Sequence, residues 1–441
     1  MLLSPTHDGN RMMSRSETAR RVALEVVQRL RDHGYQALWA GGCVRDILLG
    51  IEPLDYDVAT SAVPQQVVAV FGKRHTRLVG AAFGVVLYVD PDTRIQVEIA
   101  TFRTDASYSD GRHPDAVTFS TPEEDALRRD FTINGMFYDP LEGRVIDYVG
   151  GRKDLEAGVI RAIGDPEARI AEDKLRMLRA VRFAARFGFE IEPRTFDAIR
   201  RHAGEIEVVA PERICMEVQR TLECQRASEA VRLWHRTGLL PHLFPEIAED
   251  DLVDAAARLL EHLSCADWIV KLAALMVPWG DSQKQVDWQE VARRIQRRLR
   301  LSNDQRKVFE YCLSAQPVLA RAPELRWSQV QPVVVHEACC QALELLEARC
   351  RAGQAPSACR DAIAWVQQRL KLPPEQLNPP PLITGDDLKA AGIPPGRHYS
   401  RILARVREMQ LDGELVDAAT ALQHARRIWQ EIASTSGGPR R

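Results

Sequence analysis

The 441-residue chain has no apolar run approaching the roughly 18 residues a membrane helix needs. Its longer runs, such as Val67–Phe71, fall far short, so no membrane span is expected. Residues 1–15 lack the apolar core of a secretion signal, and a cytoplasmic location follows as an expectation. Neither charge sign dominates: Lys+Arg 59 against Asp+Glu 61 gives a net charge of -2. That balance excludes a histone-like polycation but leaves room for local basic patches. The cysteines are nine, an odd count, with no C-x-x-C, which speaks for free thiols in a reducing compartment and against a disulfide framework. His336, Cys339 and Cys340 have helical spacing, yet Cys350 and Cys359 do not supply the second pair of a zinc site. They read as a helix face. No internal repeat is present.

What is there is ordinary globular usage, 27% charged and 45% hydrophobic, in a length that suits about two to four domains. Residues 1–16 are polar and irregular, an expected mobile arm. Ser14-x-x-Glu17 has the form of a capping box before apolar positions Ala19, Val22, Ala23, Val26 and Leu30. From Ala37 to about Ile163 short strand patterns prevail: Ala37–Ala40, Tyr56–Ala59, Gly84–Asp90 and Arg94–Phe102, the last two a hairpin with a three-residue loop near Pro91. After about Asp165 strand signals almost vanish, and a continuous helical pattern runs from Arg169 through Phe187. The expected architecture is α+β: a mixed-sheet head (17–163), then an all-helical neck (164–225), body (226–370), proline-rich stiff linker (371–381) and tail (382–441).

The chemistry begins at Asp55-Tyr56-Asp57. On a strand, residues two apart face one side, and two crowded carboxylates call for a cation between them. Hard oxygen ligands of this kind suit Mg²⁺. Ten residues earlier, Gly41-Gly42-Cys43-Val44-Arg45-Asp46 follows a strand and opens a helix, where backbone N–H groups approach phosphate closely. Arg45 would add a donor fork. Glu98 alternates with Val97 and Ile99 and, on a neighbouring strand, would join the aspartates in a two-metal site.

Taken in order and spacing, GGCVRD, LDYDVAT, VEIATFR and ALRRDFTING resemble the class II nucleotidyltransferases of the polymerase-β superfamily, and within them the CCA-adding enzymes and their poly(A) polymerase relatives. The likeness covers about Ala37–Leu222. It implies a polymerase-β-like head that transfers nucleotidyl units from CTP and ATP to the 3′ end of tRNA without a template. Asp55 and Asp57 match the metal-binding pair of a two-Mg²⁺ mechanism, with Glu98 the third carboxylate. Gly41, Gly42 and Arg45 match phosphate-contacting positions. Arg128-Arg129-Asp130-Phe131-Thr132-Ile133-Asn134 matches a second motif, in which one of the two arginines and Asn134 approach triphosphate and ribose. Glycine stands at 135 where the family usually has alanine.

Glu172-Asp173-Lys174-Leu175-Arg176 and Arg179 resemble the family's nucleotide-selecting motif, with Asp173 and Arg176 expected on one side of a helix and Arg179 and Arg182 as supports or triphosphate contacts. Asp173 would accept the exocyclic amine of C or A and Arg176 would donate to the ring nitrogen, whereas U and G present a carbonyl to an acceptor. Arg213, in Pro211-Glu212-Arg213-Ile214, is expected to pack against this helix. The polar stretch Thr104–Thr121, with Tyr108, Asp110, Gly111, Arg112 and Pro114, matches a loop that CC-only relatives lack. Full CCA addition and A-only addition both remain open. For RNA contact, Arg293 and Arg297 in a basic helix and Arg397 and Arg401 in the tail are candidates. Val277 and Pro278 replace the His-Asp pair of a phosphohydrolase domain found in some relatives, so that activity is not expected. Leu78–Gly84 lacks the basic residues of the poly(A) polymerase signature. The rival of another class is a catalytically silent RNA-binding protein. No protein partner is implied.

Overall fold

The computed structural model describes residues 14–79, 84–105, 117–263, 267–356 and 358–436. Most of the expected N-terminal arm, the loop residues Tyr108, Asp110, Gly111, Arg112 and Pro114, Gly80–Phe83 and the last five residues lie outside these. The chain forms two compact units, residues 1–245 and 246–441. Residues 226–245, expected in the body, thus group with the neck, because their helix packs on neck helices.

The first unit opens with α1 (Arg15–Asp32), started by the Ser14/Glu17 capping box: Glu17 N–H donates to Ser14 Oγ and Ser14 N–H to Glu17 Oε2 at 2.7 Å. Its expected apolar face, from Ala19 to Leu30, is buried. Then come β1 (Ala37–Ala40), α2 (Gly42–Leu48), β2 (Asp57–Thr60), α3 (Pro64–Phe71), β3 (Thr76–Leu78), β4 (Val85–Val89) and β5 (Gln96–Thr101). A small hairpin, β6 (Arg103–Asp105) and β7 (Val117–Phe119), precedes α4 (Pro122–Leu127), β8 (Phe137–Asp139) and β9 (Arg144–Ile146). One seven-stranded sheet runs β3-β4-β5-β2-β1-β8-β9, antiparallel except where β2 lies parallel to β5. Leu38, Ala40, Ala59, Phe102, Ala126 and Phe137 form a core against it.

The β4–β5 connection is longer than expected, residues 90–95. Asp90 Oδ1 accepts from Thr93 N–H and Thr93 Oγ1, and Arg94 adopts a φ of 61°, so the side chain of Asp90 sets the turn. The neck follows α5 (Gly151–Ala157) and β10 (Val159–Ile160): α6 (Pro166–Glu172), α7 (Arg176–Phe187), β11 (Glu190–Ile191), α8 (Pro193–His202), α9 (Pro211–Leu222) and α10 (Ala227–Arg236). The expected continuous helix through Arg169–Phe187 is broken. Asp173 is extended (φ -144°, ψ 105°) and ends α6.

Gly135 has an ordinary backbone conformation, but a Cβ there would lie 2.7 Å from Val149 Cγ2 and 3.0 Å from Ile163 Cδ1. Valine is stiff at χ1 and cannot swing aside cheaply. Val149 therefore occupies the space that an alanine methyl at 135 would need. Gly135→Ala is expected to cost about 1–3 kcal/mol of stability, and adding Val149→Ala to recover most of it, as read from thermal unfolding.

The second unit is helical. Its helix Trp268–Ser282 buries both Val277 and Pro278. The proline segment 371–381 is no free spacer. It holds a short helix, Pro374–Leu377, and Gln331 Nε2 donates to Leu377 O and Asn378 Oδ1. The tail helix His398–Leu411 meets helix Trp327–Val334, with Asp412 accepting from Ser328 N–H and Oγ at 2.9 Å. His336 precedes helix Cys339–Arg351 and stacks on Tyr311 at 3.7 Å, so it does not share a helix face with Cys339 and Cys340, of which the first is buried and the second exposed.

Candidate active site

β1 ends at Ala40, paired with Asp57 across the antiparallel ladder, and the chain turns there through Gly41 and Gly42 into α2. Gly41 has φ 72° and ψ -124°, a conformation essentially confined to glycine, and a Cβ would meet Arg129 Nη1 at 2.9 Å. The turn is thereby set beside Asp57. In the parallel β2–β5 pair Val58 faces Ile99, so one step back Asp57 adjoins Glu98. The strand starts at Asp57 rather than Tyr56, yet Asp55 and Asp57 are open while Tyr56 is buried. Both carboxylates thus share one side.

They border a cleft of about 530 Å³. Asp57 is exposed to the cleft, and its carboxyl sits at the sheet end beside Glu98 and Asp55. Burial first, then the charges of Glu98 and Asp55, push its carboxyl up to about 7, with Arg129 opposing. A carboxylate so crowded by like charge is what a divalent cation relieves. Among the described residues no three His, Cys, Asp or Glu side chains converge on one metal position. Asp55 and Asp57 would accordingly share any ion with oxygens of ligand and water, the usual habit of Mg²⁺. Glu98 stands next to Asp57 but does not line the cleft.

Six arginines and four aspartates line the cavity. Arg128 and Arg129 both grip the buried Asp125, one on each oxygen, at 2.7 and 2.9 Å. Their charges hold that carboxyl below its usual range against the effect of burial. Arg129 faces the glycine turn and Asp57; Arg128 offers its carbonyl to Arg169 and Arg176 on the neck side. Arg45 is buried. Its Nε and Nη2 donate to Asp46 Oδ1 and its Nη1 to Asn134 Oδ1 at 2.6 Å, while its guanidinium lies 5.2 and 4.8 Å from the rings of Phe183 and Phe187. The expected donor fork is spent on protein. Asn134 also donates to Asp130, whose other oxygen takes Arg179 at 2.5 Å. Burial opposes ionisation of Asp130, but Arg179 and the Asn134 bond draw its carboxyl down to about 2.

At the neck end Asp173 sits in the break between α6 and α7, not on the arginine stripe. Its Oδ1 accepts from Leu175 N–H at 3.1 Å and its Oδ2 from Arg213 Nη2 at 2.8 Å. Arg176 pairs with Glu172 at 2.7 Å, and both Asp173 and Arg176 line the cleft. A profile described as the poly A polymerase head domain matches residues 37–161. Residues 37–161 are thus similar to that head domain. A second profile, described as the probable RNA and SrmB-binding site of polymerase A, matches residues 188–251.

Over 258 residues the chain is 40% identical to a CCA-adding enzyme of Geobacillus thermodenitrificans, covering 58% of this chain and 59% of that one. It is 42% identical over 240 residues to poly(A) polymerase I of Escherichia coli, covering 51% and 50%. The chain thus spans little more than half of these relatives' length. The crystal structure of the Bacillus stearothermophilus CCA-adding enzyme in complex with CTP superposes with a TM-score of 0.75, at 29% identity, over 95% of this chain and all of that one.

The structure brings Gly41, Gly42, Arg45, Asp55, Asp57, Arg128, Arg129, Asn134, Asp173, Arg176 and Arg179 to one cleft. Arg182 is not part of it: buried on α7, it pairs with Glu217 of α9 at 2.6 Å and serves packing. Asp130, Arg103 and Phe183 also line the cleft and were not singled out from sequence. Arg103 ends the quoted VEIATFR run, a signal that was present. In the second unit, Arg293 and Arg297 are exposed and share Glu290, whereas Arg294 and Arg298 hold the buried Glu246. Arg397 and Arg401 are exposed at the start of the tail helix His398–Leu411.

Proposed function

We propose that this chain is a template-independent tRNA nucleotidyltransferase that adds C and A from CTP and ATP to the tRNA 3′ end, releasing pyrophosphate. The observation that carries this reading is the single cleft with paired aspartates and a glycine turn at one end and Asp173 with Arg176 at the other. Asp55 and Asp57 would hold Mg²⁺, which when bound would supply activation of the RNA 3′-hydroxyl and charge neutralisation for the departing pyrophosphate. Glu98 keeps the local potential negative beside Asp57. Gly41 N–H is held by Met136 O, so the Gly42 N–H at the start of α2 and the guanidinium of Arg129 take the triphosphate. Asp173, pinned by Arg213, accepts the amine of C or A, and Arg176 donates to the ring nitrogen; a carbonyl in the amine's place leaves two acceptors face to face.

The second reading, an A-adding enzyme or poly(A) polymerase, is favoured by the 42% identity to poly(A) polymerase I. Three RNAs separate them: tRNA transcripts ending before C74 and after C75, and an RNA that is not tRNA, each with labelled CTP or ATP and Mg²⁺. CCA addition requires C on the first, a single A on the second, and nothing on the third. A long A tail on the third supports the polymerase, and no incorporation anywhere supports the silent RNA-binding protein.

Arg45 gives a sharper check on the cleft's construction. Lysine keeps the charge but cannot bridge Asp46 and Asn134 with one plane or lay that plane near the two phenylalanine rings. Arg45→Lys is expected to lower kcat about 100-fold with KM for CTP changed only a few-fold, because a small displacement of Asn134 and Asp130 misaligns the nucleotide. Activity near wild type in a steady-state assay would instead assign Arg45 a direct charge contact.

A further inference from the structure

A second cavity, of about 410 Å³, lies in the neck and shares no residue with the cleft. Its walls come from the end of α7, from β11, α8 and α10. Phe189 and Phe196 are half-buried in it, Leu233 closes it, and Arg232 and Arg236 are one helical turn apart on α10. The Arg236 guanidinium lies 5.6 Å from the Phe196 ring centre. Gly188, at φ 68°, leaves room for Arg226: a Cβ there would come 2.7 Å from its Nη1. At the mouth stand Glu190 and Glu229, the latter paired with Arg226 at 3.3 Å.

A half-exposed aromatic ring with an arginine plane over it is the arrangement on which unpaired bases stack. The cavity admits one base with its ribose, not a duplex. Phosphate alone is a poor fit, because two carboxylates guard the entrance, whereas the same carboxylates accept hydrogen bonds from amino or imino N–H groups of a base edge. Every residue of the cavity falls within the segment 188–251 that matches the RNA-binding profile. We propose that this pocket takes one unpaired base of the RNA substrate, stacked against Phe196 and Arg236. The proposal rests on the RNA reading given above.

The test measures the affinity of the full chain for a tRNA transcript by fluorescence anisotropy, at two salt concentrations, alongside CMP incorporation at saturating RNA. Arg236→Gln and Phe196→Leu are each expected to weaken RNA binding about tenfold, with kcat and KM for CTP unchanged. The slope of affinity against salt stays the same in Phe196→Leu, since no phosphate contact is removed. Arg236→Lys is expected to weaken binding several-fold, because charge without a plane does not stack. Thermal unfolding within a few degrees of wild type confirms that each variant is folded, and Phe196→Tyr, which keeps the ring, retains wild-type affinity. Unchanged affinity in Arg236→Gln and Phe196→Leu overturns the proposal, as it would if a protein occupied the pocket. Full recovery by Arg236→Lys overturns it in favour of a backbone phosphate contact. If wild type itself neither binds RNA nor incorporates CMP, the failure belongs to the functional reading and not to the pocket.

Discussion

Asp57→Asn is expected to lower the rate of CMP addition at least 10³-fold, equivalent to about 4 kcal/mol of transition-state stabilisation. The amide keeps the size and shape of the side chain but removes an anionic oxygen that a divalent cation requires. Folding should not suffer. Asp57 is crowded by Glu98 and Asp55, and its burial already disfavours the ionised form. Replacing it with a neutral group relieves that repulsion, so the metal-free variant is expected to unfold at the same temperature as wild type or higher, an exchange of stability against function at an active site. Asp55→Asn should fall in the same range, and the double variant little further, because both serve one ion cluster and their effects are not additive. Glu98→Gln should cost less than either, since Glu98 does not line the cleft. Single-turnover incorporation on a tRNA transcript lacking CCA measures all four.

The second large effect concerns choice of base. Asp173→Ala is expected to reduce discrimination of CTP over UTP by about 10- to 100-fold, with a smaller loss in the rate for CTP itself. The reason lies in how the carboxylate is held. Leu175 N–H takes one oxygen and Arg213 the other, which fixes its plane while each oxygen retains a lone pair for a base. An amine facing it is matched; a carbonyl facing it leaves a buried mismatch worth roughly 1–3 kcal/mol. Arg213→Ala removes the pin and not the acceptor. It should erode discrimination several-fold without abolishing it. Equal discrimination in wild type and Asp173→Ala, measured under single-turnover conditions with UTP and CTP, would remove Asp173 from base selection.

What the sequence disclosed about this site is what lies close along the chain. Asp55 and Asp57 are two apart on an extended segment, and the Gly41–Gly42 turn immediately follows a strand whose partner is Asp57, so pattern and spacing sufficed. The role of Arg45 was not visible. Its partner Asn134 is 89 positions away and its two phenylalanines belong to α7, so nothing local shows that the guanidinium is buried. Asp173 shows the opposite failure. The 3–4 periodicity of α6 and α7 reads as one helix, because apolar spacing does not register a single extended residue, while its stabilising partner Arg213 is 40 positions on. Strands β8 and β9 have three residues each, too few for an alternating pattern to stand out. The linker's prolines suggested a stiff spacer, but the packing of Gln331 onto Asn378 depends on contacts that composition does not encode.

The carboxylate pair as a seat for divalent ions is tested most directly by counting bound Mn²⁺ by electron paramagnetic resonance, with a non-hydrolysable CTP analogue present. Two ions per wild-type chain, with loss of tight binding in Asp57→Asn, are the result this account requires. Equal Mn²⁺ binding by wild type and Asp57→Asn would contradict it.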